Sequence, residues 1–206
     1  LASFHPAPLP TASGGRLRFL LFARMLWDKG VGEYIEAARL VRKRYPDVEF
    51  CLLGFLDVKN PAAISSEQIK EWVSEGVVSY LGVTDDVRPI LASVDCVVLP
   101  SYRGEGAPRT LLEAAAMGRP VVTTDAVGCR EVVDDGINGF LCKVRDAQDL
   151  AEKLERIIQL SPEERAAMGR NGRAKVEREF SERRVVMRYL ETIETIMREQ
   201  SKKTDV

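Results

Sequence analysis

Along the first two-thirds of the chain, apolar residues come in two alternating kinds of run. Short, nearly unbroken runs recur at 16–24 (RLRFLLFAR), 48–55 (VEFCLLGF), 77–83 (VVSYLGV), 96–101 (CVVLPS), 120–126 (PVVTTDA) and 139–144 (GFLCKV). Their length and their wealth of Val, Leu and Phe predict strands. Between them lie stretches with apolar residues at helical spacing, at 31–45, 65–76, 85–94 and about 108–117, with a short helix near 129–134. Ser65 is placed to cap the second of these and Gly76 to end it. The tail has helical period at roughly 146–160, 162–179 and 181–200. Strands alternating with helices predict βαβ units, hence an α/β, Rossmann-like, doubly wound parallel sheet of six strands flanked by helices.

The chain has 206 residues, enough for a sizeable core in one domain, with two small domains as the alternative. Residues 1–15 are rich in Pro, Gly, Ala and Ser and read as a linker or extended arm; 16–180 form the Rossmann-like domain and 181–206 a C-terminal helix and tail. A net charge of −1 gives no global attraction for nucleic acid or anionic lipid. Arg24 and Asp28 interrupt the most apolar stretch, so no membrane span is expected. Cys51, Cys96, Cys129 and Cys142 form no CxxC pair; Cys51 and Cys96 read as small core residues, which fits a reducing, cytoplasmic compartment. The single histidine, His5, lies in the Pro-rich arm and receives no role.

A doubly wound sheet of order 3-2-1-4-5-6 binds ligands past the carboxyl ends of strands one and four. The loops there follow Arg24 and Ser101. The first carries Arg24 and Lys29, the second Glu105 and the start of a helix at Pro108. Proline suits a first helical position because it has no N–H to lose. Gly106 and Ala107 offer no capping oxygen, so the amides of Arg109, Thr110 and Leu111 are left for a ligand, and the Thr110 hydroxyl adds a donor. Two cations and free helix amides make a diphosphate site built without a metal. The alternative is that Glu105 folds back as a cap, or that water fills the gap. Glu113 lies about 7–8 Å further along the helix. It shares a face with Arg109 and Thr110, away from Leu112, Ala115 and Ala116. A carboxylate there can accept both hydroxyls of a ribose diol, or be only a solvated helix charge. The chain has no G-x-G-x-x-G, no GxxxxGK[ST] and no D-x-D, which argues against an NAD fold, a P-loop and a carboxylate-held Mg²⁺. Asp85-Asp86 and Asp134-Asp135 read as turn or capping pairs.

The E-x₇-E spacing of Glu105 and Glu113 after LPSY, the pair Arg24 and Lys29 after strand one, and the block VTTDAVGCREVVDDGINGFL together resemble family 4 glycosyltransferases, from about residue 16 to 180. FHP near the start is similar to the segment joining the two halves of their GT-B fold. The resemblance implies a retaining enzyme with no cofactor or required metal. In it, Arg24 and Lys29 hold the donor diphosphate, Glu105 meets sugar hydroxyls near the reacting carbon, and Gly106, Ala107, Arg109 and Thr110 touch sugar and phosphate through amides. Glu113 would bind ribose, and Gly82 and Val83 the base through backbone groups. PSYRGEGAPR, LLEAAAMGRPVV and LGFLDVKNPAAIS look most like bacterial enzymes extending polyprenyl-diphosphate-linked glycans such as O-antigen, capsule or N-glycan precursors. That subgroup implies a UDP-sugar donor of the hexose or N-acetylhexosamine class. Many members have a GxG-type turn after strand two, where this chain has GFLD at 54–57.

Only the second, donor-binding half of a GT-B enzyme is expected in this chain. The acceptor half would precede Leu1, the fragment alone would be inactive, and the lipid-linked acceptor would reach it through that half. The stripe Val186, Tyr189, Leu190, Ile193 and Met197 on the last helix would cross back to it, or pack on its own domain. Arg183, Arg184, Arg188, Lys202 and Lys203 could place the whole enzyme peripherally on the inner face of a membrane, or form a solvated basic face. Two rival readings are a GT-B nucleotide-sugar epimerase and a non-catalytic nucleotide-binding module.

Overall fold

A computed structural model describes residues 3–10, 16–104 and 106–204. Six parallel strands, β1 (Arg18–Phe22), β2 (Glu49–Leu53), β3 (Ser79–Tyr80), β4 (Cys96–Leu99), β5 (Val121–Thr124) and β6 (Gly139–Cys142), lie in the order β3-β2-β1-β4-β5-β6. The helices are α1 (Val31–Arg42), α2 (Ser66–Ser74), α3 (Arg88–Ala92), α4 (Arg109–Ala116), α5 (Ala147–Gln159), α6 (Pro162–Glu179) and α7 (Glu182–Thr204). Successive residues of a strand face opposite sides. Phe19 and Leu21 of β1 therefore join Tyr34, Phe50, Leu52 and Leu154 in one apolar layer, while Leu20 joins Val97, Leu99, Leu111 and Val132 in the other. Phe19 stacks on Phe50 with ring centroids 5.3 Å apart. The Tyr34 hydroxyl donates to the Phe19 carbonyl at 3.1 Å, which satisfies its polar end in the core.

The expected elements form, with two differences. The third strand is shorter than 77–83, although pairing continues past Tyr80 through Leu81 N–H to the Leu52 carbonyl at 2.8 Å. It is the edge of the sheet, bonded on one side only. The helix expected near 129–134 is instead a run of turns. There Asn138 takes the groups a helix would need: its Nδ2 donates to the Val132 carbonyl at 3.0 Å and its Oδ1 accepts from the Asp134 amide at 2.7 Å. Cys129, Val132 and Val133 are still buried from these turns, so the apolar spacing reported core contact and not helix. The Ser65 cap forms as expected, accepting from Gln68 N–H at 3.2 Å. All four cysteines are buried free thiols. On α7, Val186, Tyr189, Leu190, Ile193 and Met197 are exposed. Among the described residues no helix is long and apolar enough to cross a membrane.

Two contacts tie the loop after β1 to the loop after β4. The carbonyl of Asp28, in the one-turn 3₁₀ helix Trp27–Lys29, accepts from Tyr102 N–H and from the Ser101 hydroxyl, each at 3.1 Å. Gly30, which closes that turn, has φ of 74° and lies so close to β4 that a Cβ would sit 2.1 Å from the Pro100 carbonyl oxygen. Only glycine fits both the dihedral and the space. Gly30→Ala is therefore expected to destabilise the domain by at least about 2 kcal/mol, the sum of a left-handed backbone penalty and backbone repulsion. Urea unfolding measures this, and an unchanged midpoint would show that the two loops do not need this approach.

Candidate functional site

The carboxyl ends of β1, β2 and β3 open into a cleft of about 700 Å³, bounded by the first turns of α4. Arg24 enters it from the end of β1, Val83 from the loop after β3, and Arg109 and Glu113 from α4. Four of the residues singled out in the sequence thus meet in one cavity. Lys29, Gly82, Gly106, Ala107 and Thr110 do not line it. Lys29 is half-buried at the end of the 3₁₀ turn, held toward the β4 loop by the Asp28 bonds. Gly82 uses its carbonyl to accept from Gly54 N–H at 2.9 Å, which fixes the loop that presents Val83. Gly106 stands in open space, and Ala107 packs partly against the core. Glu105 lies outside the described residues.

Among the described residues the start of α4 has no side-chain cap; the alternative of Glu105 as a cap lies outside them. Three details differ from the expected helix start. Pro108 is the N-cap, with extended ψ of 128°, so the helix begins at Arg109 and not at Pro108. The Pro108 carbonyl accepts from both Leu111 N–H at 3.0 Å and Leu112 N–H at 3.2 Å, which removes Leu111 from the free amides. The Thr110 hydroxyl donates to the Phe22 carbonyl at 3.0 Å. It anchors the helix to the end of β1 and is not a donor for a ligand. The amides of Arg109 and Thr110, at the first two helical positions, have no acceptor among the described residues. They carry the positive end of the helix dipole.

Charge in the cleft is uneven. Arg88 is neutralised by Asp86, whose two carboxylate oxygens accept from its guanidinium at 2.8 and 2.9 Å. Asp86 is thereby held below the usual carboxylate range, and it also accepts from Arg88 N–H at 3.0 Å, which makes it the turn feature its position suggested. Arg24 is exposed and has no ion pair among the described residues. Arg109 is 90% exposed and touches Glu113 only at 3.5 Å. The Glu113 side chain is 14% exposed. Burial pushes its pKa up, with Arg109 opposing, so this is not the solvated helix charge of the bland alternative. Asp134 and Asp135 are structural: Asp134 pairs with Lys175 at 2.6 Å, and Asp135 accepts from Leu141 N–H at 2.8 Å. Among the described residues no cluster of His, Cys, Asp or Glu is arranged to hold a metal ion.

The sequence did not point to Phe55, 60% exposed at the cleft, or to Ser3 and Phe4, which line it from the N-terminal arm. Nor did it show Asp28 paired with Arg103 at 3.4 Å beside Lys29. Phe4 and Phe55 fall in the FHP and GFLD segments noted above, but their place at the cleft depends on contacts distant in sequence.

A family model described as glycosyl transferases group 1 matches residues 16–160. The chain belongs to this family. It is 33% identical over 179 residues, 87% of its own length and 45% of the relative's, to a Campylobacter jejuni N,N'-diacetylbacillosaminyl-diphospho-undecaprenol alpha-1,3-N-acetylgalactosaminyltransferase. Among solved structures, this group 1 glycosyltransferase chain resembles Anabaena HepE in complex with UDP, with a TM-score of 0.76, 27% identity and coverage of 88% of this chain and 49% of that one. It also resembles the C-terminal domain of the group 1 protein LpcC from Francisella tularensis, with a TM-score of 0.65, 25% identity and coverage of 86% and 89%. The chain spans about half the length of the curated relatives it matches.

The raised pKa of Glu113 sets a sign for stability against pH. The folded state holds this proton more tightly than the unfolded chain, so the carboxyl lowers stability as pH rises through and above the ordinary glutamate value of 4.5. Glu113→Gln should raise the melting temperature at neutral pH, and the gain should vanish in acid below that value. Thermal unfolding across pH tests this; a difference that does not change with pH would mean the carboxylate is not destabilised by its burial.

Proposed function

We propose that this group 1 glycosyltransferase domain binds the nucleotide sugar, UDP-linked, for a retaining glycosyltransferase. The observation that carries the reading is a carboxylate, Glu113, with its side chain largely covered, sharing one cleft with Arg24, Arg109 and the start of α4. A diphosphate supplies an anion to the exposed Arg24, to Arg109, whose present partner is Glu113 at 3.5 Å, and to the Arg109 and Thr110 amides, and a ribose diol supplies two donors to Glu113. Val83, with Gly82 behind it, lies on the base side. Lys29 reaches the diphosphate from the clasped loop, and Glu105 the sugar hydroxyls. HepE, which binds UDP, and the undecaprenol-linked acceptor in the name of the Campylobacter relative support this substrate class.

Chemistry then rests on leaving-group stabilisation. Arg24, Lys29 and the helix amides take up charge as the bond from the sugar carbon to the diphosphate oxygen breaks, worth a few kcal/mol per donor in oxyanion sites of other enzymes. A donor phosphate oxygen accepts the proton from the acceptor hydroxyl, so neither a strong base nor a metal is required. The acceptor, a glycan or polyprenyl-diphosphate-linked glycan, is held by a second half of the enzyme, in the cytoplasm at the inner membrane face. Hexose or N-acetylhexosamine is the transferred group. An epimerase would release free nucleotide, and a binding module would turn nothing over, so product analysis with the acceptor half joined to this chain separates both.

Calorimetry with UDP tests the donor site directly. The chain should bind UDP equally with EDTA or with Mg²⁺, and Glu113→Ala should weaken UDP by about 1.5–3 kcal/mol, the range for a hydrogen bond to a charged group. It should leave inorganic diphosphate unaffected. A Mg²⁺ requirement would overturn the assignment of Arg24 and Lys29, and equal loss for diphosphate would overturn the ribose role of Glu113.

A further inference from the structure

Residues 3–10 form neither helix nor strand, yet they are fastened to the domain by three arginines from three separate places. Arg88, at the start of α3, donates to the Ser3 carbonyl at 3.3 Å. Arg173, on α6, donates from one nitrogen to the Phe4 carbonyl and, at 2.8 Å, to the Ala116 carbonyl at the end of α4. Arg119, fully buried between α4 and β5, donates to the Ala7 and Pro8 carbonyls, both at 2.7 Å, and to Val94 at 3.3 Å. A buried guanidinium is costly to desolvate. The Nε of Arg119 has no partner, and burial pushes this group's pKa down to about 10 with Asp95 opposing. Such expense on an irregular segment calls for a purpose beyond covering the core.

The arm's position supplies one. Phe4 packs with Leu112 and Phe180 against Ala115, Ala116 and Val176, and it lines the same cleft as Glu113. Ser3 is tied to Arg88, which closes the loop presenting Val83. The arm therefore spans from the residue assigned to ribose to the residue assigned to the base, and both Ser3 and Phe4 line the cleft. We infer that Ser3 and Phe4 form the nucleoside wall of the donor site, with the Phe4 ring in contact with the base or ribose and Arg173 as the residue that positions it. This rests on the proposed nucleotide-binding reading. An aromatic face suits a planar base or the apolar side of a ribose, and has nothing to offer a diphosphate. Arg173 does not line the cleft. Its effect passes through the Phe4 carbonyl and the end of α4.

The test is a ligand series by calorimetry: UDP, uridine and inorganic diphosphate, on the unaltered chain and on Phe4→Ala, Arg173→Ala and Arg173→Lys. Phe4→Ala should lose roughly tenfold in affinity for UDP and for uridine, the scale of an aromatic contact with a base, and none for diphosphate. Arg173→Ala should show the same pattern, with partial recovery in Arg173→Lys, which keeps a charged donor. Phe4→Trp, which retains an aromatic ring if the smaller variant unfolds, should change its emission on adding uridine and not on adding diphosphate. Unchanged UDP and uridine affinity in Phe4→Ala, or equal losses for all three ligands, would overturn the inference while leaving the nucleotide site standing. Absence of UDP binding by the unaltered chain would remove both.

Discussion

The carbonyl of Asp28 accepts from both Tyr102 N–H and the Ser101 hydroxyl, and this clasp is the contact on which the site's layout depends. The strand order turns back between β1 and β4, which pair in parallel, and past the end of that ladder their two loops run on side by side. Left alone, two such loops would move independently. Here the clasp, and the approach of Gly30 to Pro100, hold the turn bearing Lys29 against the loop leading to α4. The Thr110 hydroxyl extends the same seam by fixing the first turn of α4 to Phe22. Cations from one loop and amides from the other are thereby set in a common frame before any ligand arrives. Preorganisation of this kind is what makes fixed dipoles effective against developing charge.

The frame is bought with local instability. The helix start is bare, Glu113 is buried against its preference for ionisation, and Arg24 and Arg109 stand exposed with little to neutralise them. Each is a fault for folding and a fit for a nucleoside diphosphate: amides and guanidiniums want an anion, and the carboxylate wants donors. The neighbouring Arg88 shows the contrast, because Asp86 grips it with both oxygens and leaves no charge to offer the cleft. Arg109 and Glu113 compensate each other only through a single 3.5 Å contact, so a ligand with a negative end and a hydroxyl end could serve both.

Much of this was legible in the sequence. Six apolar runs separated by helical stretches imply a parallel sheet; the cleft lies past Arg24 as expected, but it opens toward β2 and β3, and Ser101 and the described part of its loop do not line it. The observed N-cap is Pro108, one residue past Ala107, and like Gly106 and Ala107 it carries no side-chain oxygen. Details set by atoms far apart in sequence were not legible. Nothing local says that the Thr110 hydroxyl finds Phe22, 88 residues away, instead of a ligand. Pro108 fits a first helical position and an N-cap equally in φ, and ψ decides between them. Asn138 turns the stretch near 129–134 away from helix by taking its backbone bonds, while the apolar spacing stays helical. The E-x₇-E spacing names Glu105 and Glu113 but cannot say that one of them is buried.

What the cleft lacks follows from its shape. Its walls come from the ends of three strands, the start of α4 and the arm, all from this side. A ligand here keeps one face in water, and charge interactions that would be strong between two walls are screened. In the proposed reading the nucleotide still has partners on this side for its base, ribose and diphosphate. Transfer in the proposed reading also needs an acceptor hydroxyl held in line as the diphosphate leaves, and water kept from the sugar carbon. If the cleft is the proposed donor site, a second wall closing over the sugar would meet it along the edge next to Arg24 and the exposed Phe55.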